Sequence, residues 1–174
     1  SSMSETILIN SLPTRTWNRL GVNETAIAWG QADDLGTEQI VAAGQTERLA
    51  IAGSAECSEK TVDIHASAGQ TVTVFEMLRP EKSLLVRTVL HVERNARVRL
   101  VQVQHAAQDS LLRLETSGTC AENGQVELCQ ILLGRGDVYS DGHFDLNGAG
   151  AGFHAGIGYL GQKKQMLDMN LVVN

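Results

Sequence analysis

The chain contains no run of about 18 apolar residues, the length a helix needs to cross a bilayer. It is poor in basic charge. Fourteen Lys and Arg stand against 20 Asp and Glu for a net charge of −6, which argues against a general nucleic-acid or membrane-surface binder, since either requires a basic face. Three cysteines (Cys57, Cys120, Cys129) are an odd, sparse set without CxxC spacing. That excludes a disulfide framework and reads as the thiols of a cytoplasmic protein. The first residues, Ser1 to Glu5, lack the charged-then-apolar pattern of a secretory signal. No G-x-S-x-G elbow, HExxH or Walker sequence occurs, so nothing marks the chain as an enzyme. Aromatic residues make up only 4%, which disfavours a globular helical core.

What the chain does have is glycine, 17 residues of it, placed in a repeat. A small-residue corner followed by an alternating strand begins at Ser67-Ala68-Gly69-Gln70 and Arg94-Asn95-Ala96-Arg97, and returns at Glu122-Asn123-Gly124-Gln125 and Gly148-Ala149-Gly150-Ala151. The corner residues Gly69, Ala96, Gly124 and Gly150 are 27, 28 and 26 positions apart. A fixed period in this range is the mark of stacked units, each burying its apolar face against its neighbours.

Period-2 alternation is clear from residue 61 onward: Val62 and Ile64, Val72 and Val74, Val98 and Leu100, Val126 and Leu128 each share a face. The run from Val86 to Glu93 is long enough for a helix, but its β-branched content favours a strand. Residues 33–60 are polar and mixed, with one weak strand at Arg48-Leu49-Ala50-Ile51. Residues 1–30 read as a lead segment, in which Thr14 either caps a short helix through Trp17 and Leu20 or belongs to an extended arm docking Trp17; residues 31–174 form the repeat domain. Antiparallel hairpins in a sandwich or barrel and a coil climbing one rung per repeat both fit the strands. The even spacing favours the coil, an all-β solenoid of about 27 residues per turn.

The stretch Leu90-His91-Val92-Glu93-Arg94-Asn95-Ala96-Arg97-Val98-Arg99-Leu100-Val101 resembles a rung of the SufB/SufD family. Gly142-His143-Phe144-Asp145-Leu146-Asn147-Gly148-Ala149-Gly150-Ala151, Gly158-Tyr159-Leu160 and Asp168 to Asn174 resemble later rungs, and Leu12 to Asn23 is similar to the lead of short members, with SufD the nearer of the two. The resemblance implies a right-handed parallel β-helix acting as a non-catalytic scaffold in iron–sulfur cluster biogenesis. It also implies a SufB- or SufD-like partner subunit, a SufC-type ATPase, and a cluster held, if at all, in the assembled complex. Full-length members continue well past the position of Asn174, and the helices that bind the ATPase and the residues assigned to cluster assembly lie in that later part. No catalytic, cofactor-binding or metal residue is therefore carried over.

The best metal-ligand candidates on residue type are Cys120 and Cys129 with His143 and His154, a thiolate and imidazole set suited to zinc or an iron–sulfur cluster. Cys120 is expected at an exposed corner and Cys129 on the face opposite Leu128. With no CxxC pair to hold two sulfurs together, ordinary core and surface residues are the expectation, and the acidic neighbours of Cys57 should blunt its thiol. Arg94, Arg97 and Arg99, flanked by His91 and His105, read as the solvated outer face of a rung rather than a patch for an acidic partner. Asp137, Asp141, His143 and Asp145 read as polar residues rather than an acid–base cluster, and Gly134-Arg135-Gly136 as a loop, since a phosphate loop would continue with Lys-Ser/Thr. The alternative function is a carbohydrate- or ligand-binding β-helix, or a purely structural solenoid; scarce aromatics and an expected absence of acidic pairs at rung spacing weigh against the former. A last strand ending at Val172-Val173-Asn174 lacks a polar cap, so that edge is expected to pair with another copy or a partner rung.

Overall fold

The computed structural model describes residues 7–10, 32–42, 44–159 and 167–174. Among these there are twelve strands and no helix: β1 (Ile7–Asn10), β2 (Asp33–Ala42), β3 (Thr46–Gly53), β4 (Cys57–Ala66), β5 (Thr71–Pro80), β6 (Ser83–Val92), β7 (Arg97–Gln104), β8 (Leu111–Cys120), β9 (Gln125–Leu132), β10 (Asp137–Leu146), β11 (Gly152–Tyr159) and β12 (Leu167–Val173). Successive strands alternate between two sheets. Sheet A runs β1-β12-β10-β8-β6-β4-β2 and sheet B runs β11-β9-β7-β5-β3.

Every pairing except β1 with β12 is parallel, so the chain coils as a β-solenoid of about five turns. The ladder partners Cys57↔Ser83↔Leu111↔Asp137 and Thr46↔Thr73↔Arg99↔Glu127↔His154 give the climb per turn, which stays near 27 residues. The coil, not the hairpin arrangement, is what the even spacing produces.

The corners show why the period holds. Each is a four-residue turn closed by a hydrogen bond from the fourth amide to the first carbonyl, as in Gln70 N–H to Ser67 O at 2.9 Å and Gly124 N–H to Ala121 O at 2.9 Å. The third residue is left-handed in every one of the four: Gly69 (φ 76°), Asn95 (φ 57°), Asn123 (φ 57°) and Gly150 (φ 74°). Glycine and asparagine are the residues that accept that conformation most readily. At the first three, the amide then donates to the next rung's corner, Gly69 to Arg94 O, Asn95 to Glu122 O and Asn123 to Ala149 O, at 2.9 to 3.0 Å. The strained position is therefore Asn95 and Asn123 rather than Ala96 and Gly124, which close their turns.

Inside, the alternating residues of both sheets meet in one aliphatic core. Val72, Val74, Leu78, Val98, Leu100 and Val126 of sheet B are wholly buried against Val62, Ile64, Leu84, Leu90 and Leu112 of sheet A. Size varies along a row to keep the stack filled. Leu90, Gly118 and Phe144 are direct ladder partners, and a Cβ at Gly118 would lie 2.9 Å from Leu90 Cβ and 3.1 Å from Phe144 Cδ1. The Phe144 ring packs on Phe153 across the core, with centroids 4.5 Å apart.

Two expectations change. Residues 33–60 hold β2, β3 and the start of β4, not one weak strand, because their outer positions are polar and hide the alternation. The edge of β12 is not free: β1 pairs with it antiparallel, Ile7 opposite Val173 and Asn10 opposite Asn170. Part of the lead segment thus belongs to sheet A and covers the strand expected to seek a partner. The helix or arm at Thr14 to Gly21 lies outside the described residues.

Candidate functional site

Two places gather polar chemistry, one inside the coil and one outside. The inner one is a ladder of side chains on the inward positions of sheet B. Glu76, Gln102 and Gln130 are direct partners on β5, β7 and β9, each at most 1% exposed. Gln102 Nε2 donates to Glu76 Oε1 at 2.8 Å, and Gln130 Nε2 donates to Gln102 Oε1 at 2.9 Å. Sheet A answers from across the core: Thr88 Oγ1 donates to Glu76 Oε2 at 2.8 Å, and Gln130 Nε2 also reaches Ser140 Oγ at 2.7 Å. A polar column thus ties the two sheets together over three rungs of an otherwise apolar interior.

Burial pushes the Glu76 carboxyl above its ordinary pKa, against the opposing pull of its hydrogen bonds from Gln102 and Thr88. Among the described residues, Gln130 Oε1 has no hydrogen-bond partner at the end of the column, and neither does Gln104 Nε2 nearby. Sequence reasoning missed this ladder, although the signal was there. Glu76 has the parity of Val72, Val74 and Leu78, and Gln102 and Gln130 repeat that inward position one rung and two rungs on.

The outer site is a shallow cleft of about 240 Å³ on sheet A, lined by Arg87, Val89, Glu115, Thr116, Ser117, Asp141 and His143. Arg87 bridges rungs, with Nε 3.0 Å from Glu115 Oε2 and Nη1 3.4 Å from Glu59 Oε2, while Arg113 Nη2 lies 3.0 Å from Glu115 Oε1. Asp141 faces Glu115 directly across the ladder. Burial first, and the Glu115 charge second, hold its carboxyl above the usual range. This pair of acids stands 26 residues apart in sequence, at rung spacing, which corrects the expectation that no such pair exists. Beside it, His143 Nε2 lies 3.3 Å from Asp145 Oδ1. Ser117 is the ladder partner of His143, yet no hydrogen bond joins them among the described residues. The N-terminal half of the same face carries two stacked histidines, His65 and His91, with ring centroids 5.8 Å apart. His65 Nε2 meets Glu93 Oε1 at 2.8 Å, and that contact, with the Ala68 amide, holds the Glu93 carboxyl below its ordinary range.

The metal-ligand candidates do not converge. Cys120 is buried in the core at 1% exposure, not on an exposed corner, because it continues the inward parity of Leu112 and Leu114. Burial raises its pKa to about 11. Cys129 points outward from sheet B opposite the inward Leu128, as its parity requires, and His154 also lies on that sheet's outer face. His143 lies on the other sheet. Among the described residues no group of three His, Cys, Asp or Glu side chains is placed to hold a metal ion. Cys57 is half-buried, its thiol raised first by burial and then by Glu56. The arginines are paired one rung on, Arg94 with Glu122 at 3.3 Å and Arg99 with Glu127 at 2.9 Å. Gly134-Arg135-Gly136 is the corner before β10, where Gly134 packs on the Ala106 backbone with no space for a side chain.

Comparison with known proteins bears on the coil from β3 onward rather than on either site. Residues 49–174 match the family described as SUF system FeS cluster assembly, SufBD core domain. The matched span runs from within β3 to the last residue of the chain. Neither the search of curated proteins nor that of solved structures returns a match.

Proposed function

The chain belongs to the SufBD core domain family of the SUF iron–sulfur cluster assembly system, and we propose that it works there as a non-catalytic scaffold in the cytoplasm. Its partners in this reading are a SufB- or SufD-like subunit and a SufC-type ATPase, and the iron–sulfur cluster is cargo of the assembled complex. The observation that carries the reading is that the family match covers the regular rungs themselves. What the chain offers is a stiff, repeating frame cross-tied by the Glu76–Gln102–Gln130 column, without a convergent set of ligands among the described residues. Its three free cysteines suit a reducing compartment. The SufD-like place in the pair rests on the resemblance of rungs and lead alone.

Co-expression with a tagged SufB-like subunit and a SufC-type ATPase tests the proposal. The three should elute as one complex in size exclusion. If the SufB-like subunit and the ATPase form their complex and leave this chain behind, the scaffold role is wrong.

A second reading, a ligand-binding β-helix, has one observation in its favour: the Glu115–Asp141 pair at rung spacing in the sheet A cleft. Binding on a glycan array that is lost in Asp141→Asn would favour it over the scaffold.

A further inference from the structure

We propose that the outer face of sheet B is a docking surface for an acidic amphipathic helix of a partner protein. This inference stands on the face itself and is independent of the iron–sulfur reading.

Where a second element covers the outer face of a parallel sheet, the outward positions are apolar as well, because both faces are then buried. Sheet B fits that pattern. Phe75, Val101 and Cys129 form one outward row along the solenoid axis, and Met77, Val103 and Ile131 form the row beside it. On β11 the two rows continue as Gly156 and Gly158, where a Cβ would meet none of the described residues within 4 Å, so the band ends on a flat floor. From β3, where Ala50 begins the second row, to β11 the band crosses four strand spacings, about 19 Å. A straight helix of about 13 residues covers that length.

Charge selects the kind of helix. The outward positions of β3, β5, β7 and β9 carry Arg48, Arg79, Arg97 and Arg99 against one acid, Glu127, in a chain whose net charge is −6. Arg97 and Arg99 share Glu127, at 3.9 and 2.9 Å. Arg48 lies over the Phe75 ring at 5.7 Å, and neither it nor Arg79 makes an ion pair among the described residues. Two arginines without a carboxylate partner among the described residues, beside an apolar band, fit a helix with carboxylates flanking its apolar stripe, its C-terminal end toward the arginines. A second copy of the chain is a poorer fit, since the carboxylates on its outer face of sheet A, such as Glu59 and Glu115, are already paired across rungs.

The test uses a synthetic helical peptide of about 14 residues with a leucine stripe flanked by glutamates. A scramble of the same composition and a lysine-flanked version serve as controls. Binding is read by fluorescence anisotropy, and occupancy of the face by the alkylation rate of Cys129, with Cys57 as the internal reference. The acidic peptide should bind and slow Cys129 but not Cys57. The double variant Arg48→Glu/Arg79→Glu, with an unchanged circular dichroism spectrum, should weaken binding by about tenfold. The proposal fails if no peptide binds, if a control binds equally well, or if binding leaves Cys129 unprotected. It also fails if sedimentation shows a dimer with Cys129 protected before peptide is added, which would make a second copy the occupant.

Discussion

Sheet A and sheet B share a period and an inward parity, and both bury aliphatic side chains in the same core, yet their outer faces are opposite in kind. On sheet A the outward positions carry charges that pair from rung to rung, as in Glu59–Arg87–Glu115. On sheet B they carry an apolar band edged by arginines, two of which have no acid among the described residues. The difference separates what the coil requires from what it leaves open. Stacking dictates the inside and the corners; it does not dictate what points outward. A solenoid can therefore carry two unrelated surfaces on one frame. Changes inside should act on stability, and changes outside on association.

The largest effect belongs to the inner column. Glu76→Ala strands the Thr88 hydroxyl and one end of the Gln102 amide in the core, and should cost about 2–5 kcal/mol in urea unfolding. A loss below about 1 kcal/mol would mean the column is not a tie between the sheets. Gly118→Val comes next: it forces a side chain between Leu90 and Phe144 and should cost about 1–3 kcal/mol, read as a lowered urea midpoint.

Glu76→Gln sharpens the same point through pH. The wild-type carboxyl is raised, so between its ordinary and raised pKa the folded chain holds a proton that the unfolded chain has lost. Wild-type stability then falls as pH rises through that window and is flat above it. The glutamine variant does not titrate there, so it should gain on wild type toward neutral pH and lose that advantage in acid. An equal gap at all pH values would contradict the raised pKa.

The smallest effect is expected outside. Arg87→Ala removes two half-exposed ion pairs on sheet A, and should cost less than about 1 kcal/mol, less still in high salt.

The period and the strands from residue 61 onward were legible because corner spacing and alternation are local properties of the chain. The corner residue was placed one position late at two turns, at Ala96 and Gly124, where the left-handed residue is Asn95 and Asn123. The burial of Cys120 and the Glu76–Gln102–Gln130 column were within reach of parity counting, but polar residues in an alternating strand are read by habit as outward. The pairing of β1 with β12 was not legible, because Ile7 and Val173 lie at opposite ends of the chain and no local pattern joins them. Nor was the Glu115–Asp141 neighbourhood, which depends on the register of β8 against β10.

Anaerobic reconstitution of the purified chain with iron and sulfide, followed by its visible absorption spectrum, tests the scaffold reading most directly. It is run on wild type and on the Cys57→Ser/Cys120→Ser/Cys129→Ser variant. The scattered placement of the three thiols predicts no charge-transfer band that depends on them. A band present in wild type and lost in the triple variant would mean that the chain carries its own cluster ligands, and would contradict the account.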